Sequence, residues 1–262
     1  MTHKVWITIG LIAAALTLPA SAADTVEITG TVTDRRGNPV PRCDVIFNPT
    51  AFIGDDSFYF KCDEQGRYRA EVPAGHYNSL YSLDLPEYAK TQLEFWGWNL
   101  TLDQDEVIDI AYDTIEVYSL SVWASNGGSQ SLFASFRPMH LASALSPKFY
   151  RKQADGQDLA IFDIAPKLNA GALQATVDGQ TVRLKNYFWS YEEIGQCGDN
   201  AKQNPALRPD EPCYMPMIIA QFERPKLAPG KHQFRLRVQD QNSGEIGEGL
   251  THFVSNAAGL GF

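Results

Sequence analysis

Short strands separated by regular turn residues fill the first hundred residues after the N-terminus, and they leave few architectures open. Val26 to Thr33 reads VEITGTVT, with β-branched residues alternating with smaller or polar ones, as on a half-buried strand. Asp34 to Pro39 (DRRGNP) is a turn punctuated by its Gly and Asn-Pro. Cys43 to Phe47 (CDVIF) and Ser57 to Cys62 (SFYFKC) follow as strands. The tight turn Asp63 to Gly66 precedes Arg67 to Val72 (RYRAEV), which alternates again. Pro73 to Gly75 turns the chain into Tyr77 to Leu83, and Leu93 to Leu102 and Val107 to Ile110 complete the series. Strands this short, with turns at such intervals, argue a β-sandwich.

The second half continues in the same style. Ile115 to Trp123 (IEVYSLSVW) alternates strongly and reads as the start of a second unit. Asn126 to Gly128 is a turn into Leu132 to Phe136, and residues 142–158, rich in Ser, Lys, Gln and Asp, read as a loop. Leu159 to Ile164, Leu173 to Val177 and Thr181 to Leu184 read as strands, the last two around an Asp178-Gly179 hairpin turn. Gln233 to Asp240 (QFRLRVQD) and Leu250 to Val254 are the closing strands. Between them, residues 186–216 form an insertion rich in Gly, Asn, Pro and charge. A structureless loop of that length is uncommon unless it is functional or disordered. Two cysteines argue against disorder, so an ordered excursion is expected, and with it the place for specific recognition.

The N-terminus has the three parts of a secretory signal peptide: a charged start at Lys4, an apolar run from Val5 to Leu18, and Ala20-Ser21-Ala22 after Pro19. The run is 14 residues, short of the roughly 20 that span a bilayer. The expectation is export, to the periplasm or outside the cell, with cleavage before Ala23. No later stretch reaches transmembrane length. With 22 Lys and Arg against 31 Asp and Glu, and no basic cluster, nucleic acid is not an expected partner. Four cysteines suit an oxidising compartment. Three pairings are open. Cys43 with Cys62 and Cys197 with Cys213 close the shortest loops and respect the division into halves. A zinc site is not expected, because no C-x2-C pair or histidine cluster occurs.

Gly30 to Val45 (GTVTDRRGNPVPRCDV) and Cys62 to Tyr77 (CDEQGRYRAEVPAGHY) resemble the carboxypeptidase regulatory-like domain. That resemblance covers about residues 24–114 and implies a transthyretin-like β-sandwich without catalytic residues of its own. Cys43 stands where a small residue is usual in that pattern. Ala165 to Leu168 (APKL), Val177 to Gly179 (VDG) and Ala228 to Asp240 (APGKHQFRLRVQD) resemble bacterial immunoglobulin-like domains. The expected fold class is therefore all-β, with two antiparallel β-sandwich domains. The expected divisions are a signal peptide (1–22), a carboxypeptidase regulatory-like sandwich (23–114) and an immunoglobulin-like sandwich (115–262) with the insertion 186–216.

Aromatic residues supply the candidate site. Trp96 and Trp98 fall on one face of a strand, and coplanar tryptophans, where exposed, stack on sugar rings; the competing role is packing in the core. Trp189, with Tyr187 and Tyr191 at alternate positions, forms a second aromatic face at the mouth of the insertion. Arg137 and His140 could meet an anion near one strand end. Asp55-Asp56, Asp63-Glu64 and Asp103-Gln104-Asp105-Glu106 are better read as solvated turns than as calcium loops. No H-E-x-x-H, G-x-S-x-G, P-loop or dinucleotide glycine pattern occurs, so neither a catalytic centre nor a cofactor is indicated. The reading is an exported binding or structural module of the cell envelope, taking a glycan or an envelope protein through its aromatic residues. The alternative is a secreted hydrolase acting on envelope polymers, or a part of one.

Overall fold

Arg67 to Pro73 shows how the strands build the cores: Tyr68, Ala70 and Val72 are buried, while Arg67, Arg69 and Glu71 face water. The same two-residue period recurs in Ser131–His140, Leu173–Val177 and Gly230–Gln239, whereas Gly75–Leu83 and Phe95–Leu102 are buried on both faces along much of their length. The structure, a computed structural model, describes residues 24–50, 54–125, 130–154, 156–205 and 207–255. The expected signal peptide, the turn expected at Asn126 to Gly128 and the last residues lie outside these. In chain order the strands are β1 (Thr25–Asp34), β2 (Asp44–Asn48), β3 (Phe58–Lys61), β4 (Arg67–Pro73), β5 (Gly75–Leu83), β6 (Phe95–Leu102), β7 (Glu106–Val107), β8 (Ile110–Tyr112) and β9 (Ile115–Ala124). Then come β10 (Ser131–His140), a short helix α1 (Leu141–Leu145), β11 (Lys148–Ala154), β12 (Gln157–Asp163), β13 (Leu173–Val177) and β14 (Gln180–Val182). β15 (Leu184–Gln196), β16 (Pro212–Glu223), β17 (Gly230–Gln239) and β18 (Ile246–Ser255) end the described chain. The fold is all-β and mostly antiparallel.

The strands form three sheets. A four-stranded sheet, β4-β1-β7 with β8 also beside β1, covers the first core, which holds Val26, Ile28, Phe47, Leu80, Leu100 and Tyr112. A six-stranded sheet, β11-β12-β16-β10-β9 with β15 on the other side of β16, covers the second, which holds Val117, Phe136, Ile218, Phe222, Phe234 and Leu236. An eight-stranded sheet, β14-β13-β17-β18-β6-β5-β2-β3, serves both. Its join is parallel pairing of β18 with β6, at Gly249 opposite Trp96 and Thr251 opposite Trp98. Leu250 belongs to the first core and Phe253, three residues on, to the second. The chain therefore passes from its first half to its second at Ile115, and its last described strand returns to hydrogen-bond with the first half.

This join needs close approach between sheets. A Cβ on Gly247 would lie 2.3 Å from the Ile115 carbonyl oxygen, and one on Gly249 would lie 2.7 Å from Val117 Cγ1. β9 thus crosses β18 with no room for a side chain.

Two stretches differ from the sequence expectation. Residues 142–158, read as a loop, contain α1 and β11, and β11 pairs antiparallel with β12 from Lys148 opposite Asp163 to Ala154 opposite Gln157. β11 is a sheet edge, so its polar residues (KFYRKQA) never had to alternate in and out of a core. The insertion 186–216 is ordered, but as a long hairpin arm rather than a loop. β15 and β16 pair from Leu184 opposite Phe222 to Gln196 opposite Pro212, and a 3-10 turn at Gly198–Gln203 fills the tip. Both disulfides lie within one half: Cys43–Cys62 between β2 and β3, and Cys197–Cys213 at the tip of the hairpin.

Gly247→Ala is expected to destabilise the protein by about 2–4 kcal/mol, because the added methyl meets backbone that cannot yield locally. Urea unfolding measures it. A change within about 0.5 kcal/mol would mean that β9 and β18 do not pack this closely.

Candidate functional site

The join between the sheets decides the fate of the first aromatic pair. Trp96 and Trp98 stack on each other at 4.8 Å between ring centroids, 17° from parallel. The Tyr118 ring meets Trp98 edge-on at 4.9 Å, and Tyr81 lies 4.4 Å from Trp96. The two tryptophans do share a face, but only 4% and 8% of each is exposed. They pack in the second core, where no ligand reaches them. Their role as a surface platform is replaced by the packing role, because β9 lies over the face they share.

Around them sits an enclosed acidic pair. Glu116, on β9, and Glu94, just before β6, are both buried. Burial pushes the carboxyl of Glu116 well above its ordinary 4.5, and the neighbouring Glu94 adds to the rise, against hydrogen bonding from Trp96 and the charge of Arg137. Burial raises Glu94 too, against hydrogen bonds from Trp96 and Tyr88. The Tyr88 hydroxyl donates to Glu94 Oε1 at 3.4 Å and is itself pushed up to about 12, chiefly by burial. A carboxyl pair with separated titrations is a familiar acid–base device. Here the pair is walled in by Trp96, Tyr81 and Arg137 and forms part of the packing.

The second aromatic face stands at the surface. On β15, Tyr187 lies opposite Ala220, Trp189 opposite Ile218 and Tyr191 opposite Pro216. The alternate spacing puts all three on one side of the strand. Tyr187 is half-buried against the second core. Trp189, 37% exposed, and Tyr191 line a cleft of about 270 Å³. The opposite wall is Tyr150 and Lys148 of β11 with Asp163 of β12; Pro216 and Pro166 add apolar surface, and Ser143, Ser146 and Lys167 stand on the rim. The Tyr150 hydroxyl donates to Asp163 Oδ2 at 3.3 Å, and the Ala165 N–H donates to Asp163 Oδ1 at 3.1 Å. Burial and then the charge of Asp163 raise Tyr150 well above its ordinary range, so the phenol stays neutral. The ammonium of Lys152 sits 5.2 Å from the Tyr191 ring centroid. The cleft thus offers flat apolar rings for stacking and hydroxyl, carboxylate and ammonium groups for polar contacts.

Tyr150, Asp163, Lys148 and Lys167 were not anticipated. Lys148, Phe149 and Tyr150 fell in the stretch read as loop; the aromatic pair between basic residues was the one local signal of a strand there. Arg137 and His140 do not converge on an anion. Arg137 Nε lies 3.2 Å from Glu192 Oε2 and its guanidinium covers Tyr118, while His140 Nε2 lies 3.0 Å from Glu245 Oε2. The acidic turns are engaged internally: Asp63 accepts the Gln65 and Arg67 N–H groups, Asp56 accepts the Thr50 hydroxyl, and Asp103 and Glu106 hold Lys231. Among the described residues, no three His, Cys, Asp or Glu side chains gather to hold a metal, and no helix is long and apolar enough to cross a membrane.

An all-β chain with an aromatic-lined cleft midway along a long hairpin is what fold and site together define. No protein-family model and no curated protein matches the sequence. The resemblance of the first half to carboxypeptidase regulatory-like domains, and of the second to immunoglobulin-like domains, thus stays at the level of the residues quoted. Solved structures similar in outline include two DUF3823 family proteins. The one from Bacteroides ovatus is 13% identical, with 87% of this chain and 98% of that one covered and a TM-score of 0.26. The one from Parabacteroides merdae is 10% identical, with 88% and 100% covered and a TM-score of 0.28. The full-length major pilin SpaD of Corynebacterium diphtheriae is 8% identical, with 89% and 66% covered and a TM-score of 0.27. Similarity at this level transfers no function.

Two outcomes follow from the contrast between the buried and exposed aromatics. Trp96→Ala should cost about 3–5 kcal/mol of stability, and Trp189→Ala under about 1 kcal/mol, by urea unfolding; equal costs would contradict the burial described. The second concerns pH. Folded Glu116 keeps its proton at pH values where the unfolded chain, near 4.5, has lost it. Its contribution is therefore whole below that range and declines as pH rises, by about 1.4 kcal/mol per pH unit until the folded carboxyl ionises. Glu116→Gln should remove one proton's worth of that decline as pH rises above the ordinary carboxyl range. An unchanged slope would mean that Glu116 is ionised in the folded protein.

Proposed function

We propose that this chain is an exported, non-catalytic binding module of the cell envelope that recognises a glycan in the cleft between β11 and β15. Trp189 is the stacking platform, Tyr191 and Tyr150 extend the aromatic wall, and Asp163, Ser143 and Ser146 supply polar contacts to sugar hydroxyls. The observation that carries this reading is the joint presence of Trp189 and Tyr191 along one wall of a cleft of about 270 Å³ whose other wall is polar. Sugar rings present an apolar C–H face and an equatorial fringe of hydroxyls, and a site of flat rings beside a few placed polar groups matches both. Support for rigidity comes from the strands: the platform residues lie on a paired strand, so binding orders little.

Export rests on the N-terminal pattern of charge, apolar run and small residues. The division into sandwiches near residue 114 is part of the same proposal, with the first serving as a support for the second.

The test is a glycan array and titration calorimetry with the chain from Ala23 onward. Trp189→Ala is expected to lower affinity for the bound glycan at least about tenfold, or roughly 1.4 kcal/mol. Trp123→Ala, which removes another exposed tryptophan outside the cleft, should leave affinity unchanged. An unaltered affinity in Trp189→Ala would overturn the assignment.

A further inference from the structure

The charge at the cleft is opposite to that of the chain. The protein as a whole carries a formal charge of −9. Lys148 and Lys167, both exposed, stand on the cleft walls, and neither ammonium has an ion-pair partner among the described residues. Lys152 adds a third ammonium 5.2 Å from the Tyr191 ring. Asp163 is the one carboxylate among the lining residues. Both of its oxygens are engaged, by the Tyr150 hydroxyl at 3.3 Å and the Ala165 N–H at 3.1 Å. Lys61, Lys202 and Lys231 are each paired with a carboxylate, while Lys90 and Lys185 bond backbone carbonyls. Cations without a carboxylate partner beside stacking rings, on an acidic protein, favour an anionic ligand there.

We infer that the ligand of this cleft is an acidic saccharide, one whose carboxylate or sulfate groups meet Lys148 and Lys167 while a sugar ring lies on Trp189. This rests on the glycan reading above and narrows it to a ligand class. The polar arrangement also explains what Asp163 does there: held by Tyr150 and the Ala165 amide, it fixes the neutral phenol on the β11 wall. A uronic-acid chain would place charge at every ring, so that one residue stacks while its neighbours reach lysines on either side of the cleft.

The experiment uses matched pairs that differ only in charge: a galacturonic-acid hexasaccharide and its methyl ester, and a sulfated galactose hexasaccharide and its unsulfated form. Titration of the chain from Ala23 onward is expected to favour the acidic member of at least one pair by about tenfold or more, with affinity falling as salt is raised. The double variant K148Q/K167Q, both at exposed positions, should keep the thermal midpoint and erase the preference, while Trp189→Ala should weaken both members. Equal binding of acidic and neutral members, or a preference that survives in K148Q/K167Q, would overturn the inference. Neutral glycans bound through Trp189 would leave the glycan reading standing without it. Failure of the full glycan array, acidic and neutral alike, would overturn both.

Discussion

Parallel pairing of β18 with β6 is the contact on which the rest of the structure depends. It places the last described strand of the chain inside the sheet begun by the first half, and so makes one eight-stranded sheet the floor of two cores. Parallel partners need a long connection, and here that connection is the entire second half. Gly247 and Gly249 allow β9 to lie against β18, and β9 in turn closes over the stacked Trp96 and Trp98. Glu94 and Glu116 are enclosed in the same packing, and burial raises both carboxyls, because a charged pair there would oppose its own burial.

The cleft is built on the six-stranded sheet. β16 pairs with β10 near its end, with β12 near its start, and with β15 along its whole length. The hairpin arm is thereby anchored in the second sandwich, and Cys197–Cys213 ties its far tip. Trp189 and Tyr191 sit midway, where β15 is paired throughout. A recognition surface built on paired strands holds its geometry before any ligand arrives, so less ordering opposes binding.

Much of the fold was legible in the sequence where a strand buries one face, as Arg67 to Val72 and Gln233 to Asp240 do, and those strands fall where the pattern puts them. Ile115 to Trp123 also falls where its sequence alternation puts it, although Ile115, Glu116 and Val117 are all buried. β11 escaped because an edge strand of KFYRKQA composition buries no continuous face. β15 and β16 escaped because Gly195, Pro212 and Pro216 look like loop residues in one dimension; Gly195 falls at a bulge, Pro212 opens its strand, and Pro216 lies between the stretches of β16 that pair with β12 and with β10. The site was half legible. The spacing of Tyr187, Trp189 and Tyr191 marks one face of a strand, but the opposing wall of Lys148, Tyr150 and Asp163 comes from a different hairpin, and no local pattern announces that meeting. Trp96 and Trp98 show the reverse: their shared face was legible, and the strand covering it was not.

The central claim is a division of labour among the tryptophans, with Trp96 and Trp98 packed between the sheets and Trp189 proposed to meet the ligand. Nitrogen-15 NMR of the indole N–H groups reads all of them in one spectrum. On titration with a bound saccharide, the Trp189 indole resonance should move while those of Trp96 and Trp98 stay in place and remain protected from exchange with heavy water. Movement of the Trp96 or Trp98 resonances with Trp189 unmoved would contradict the account.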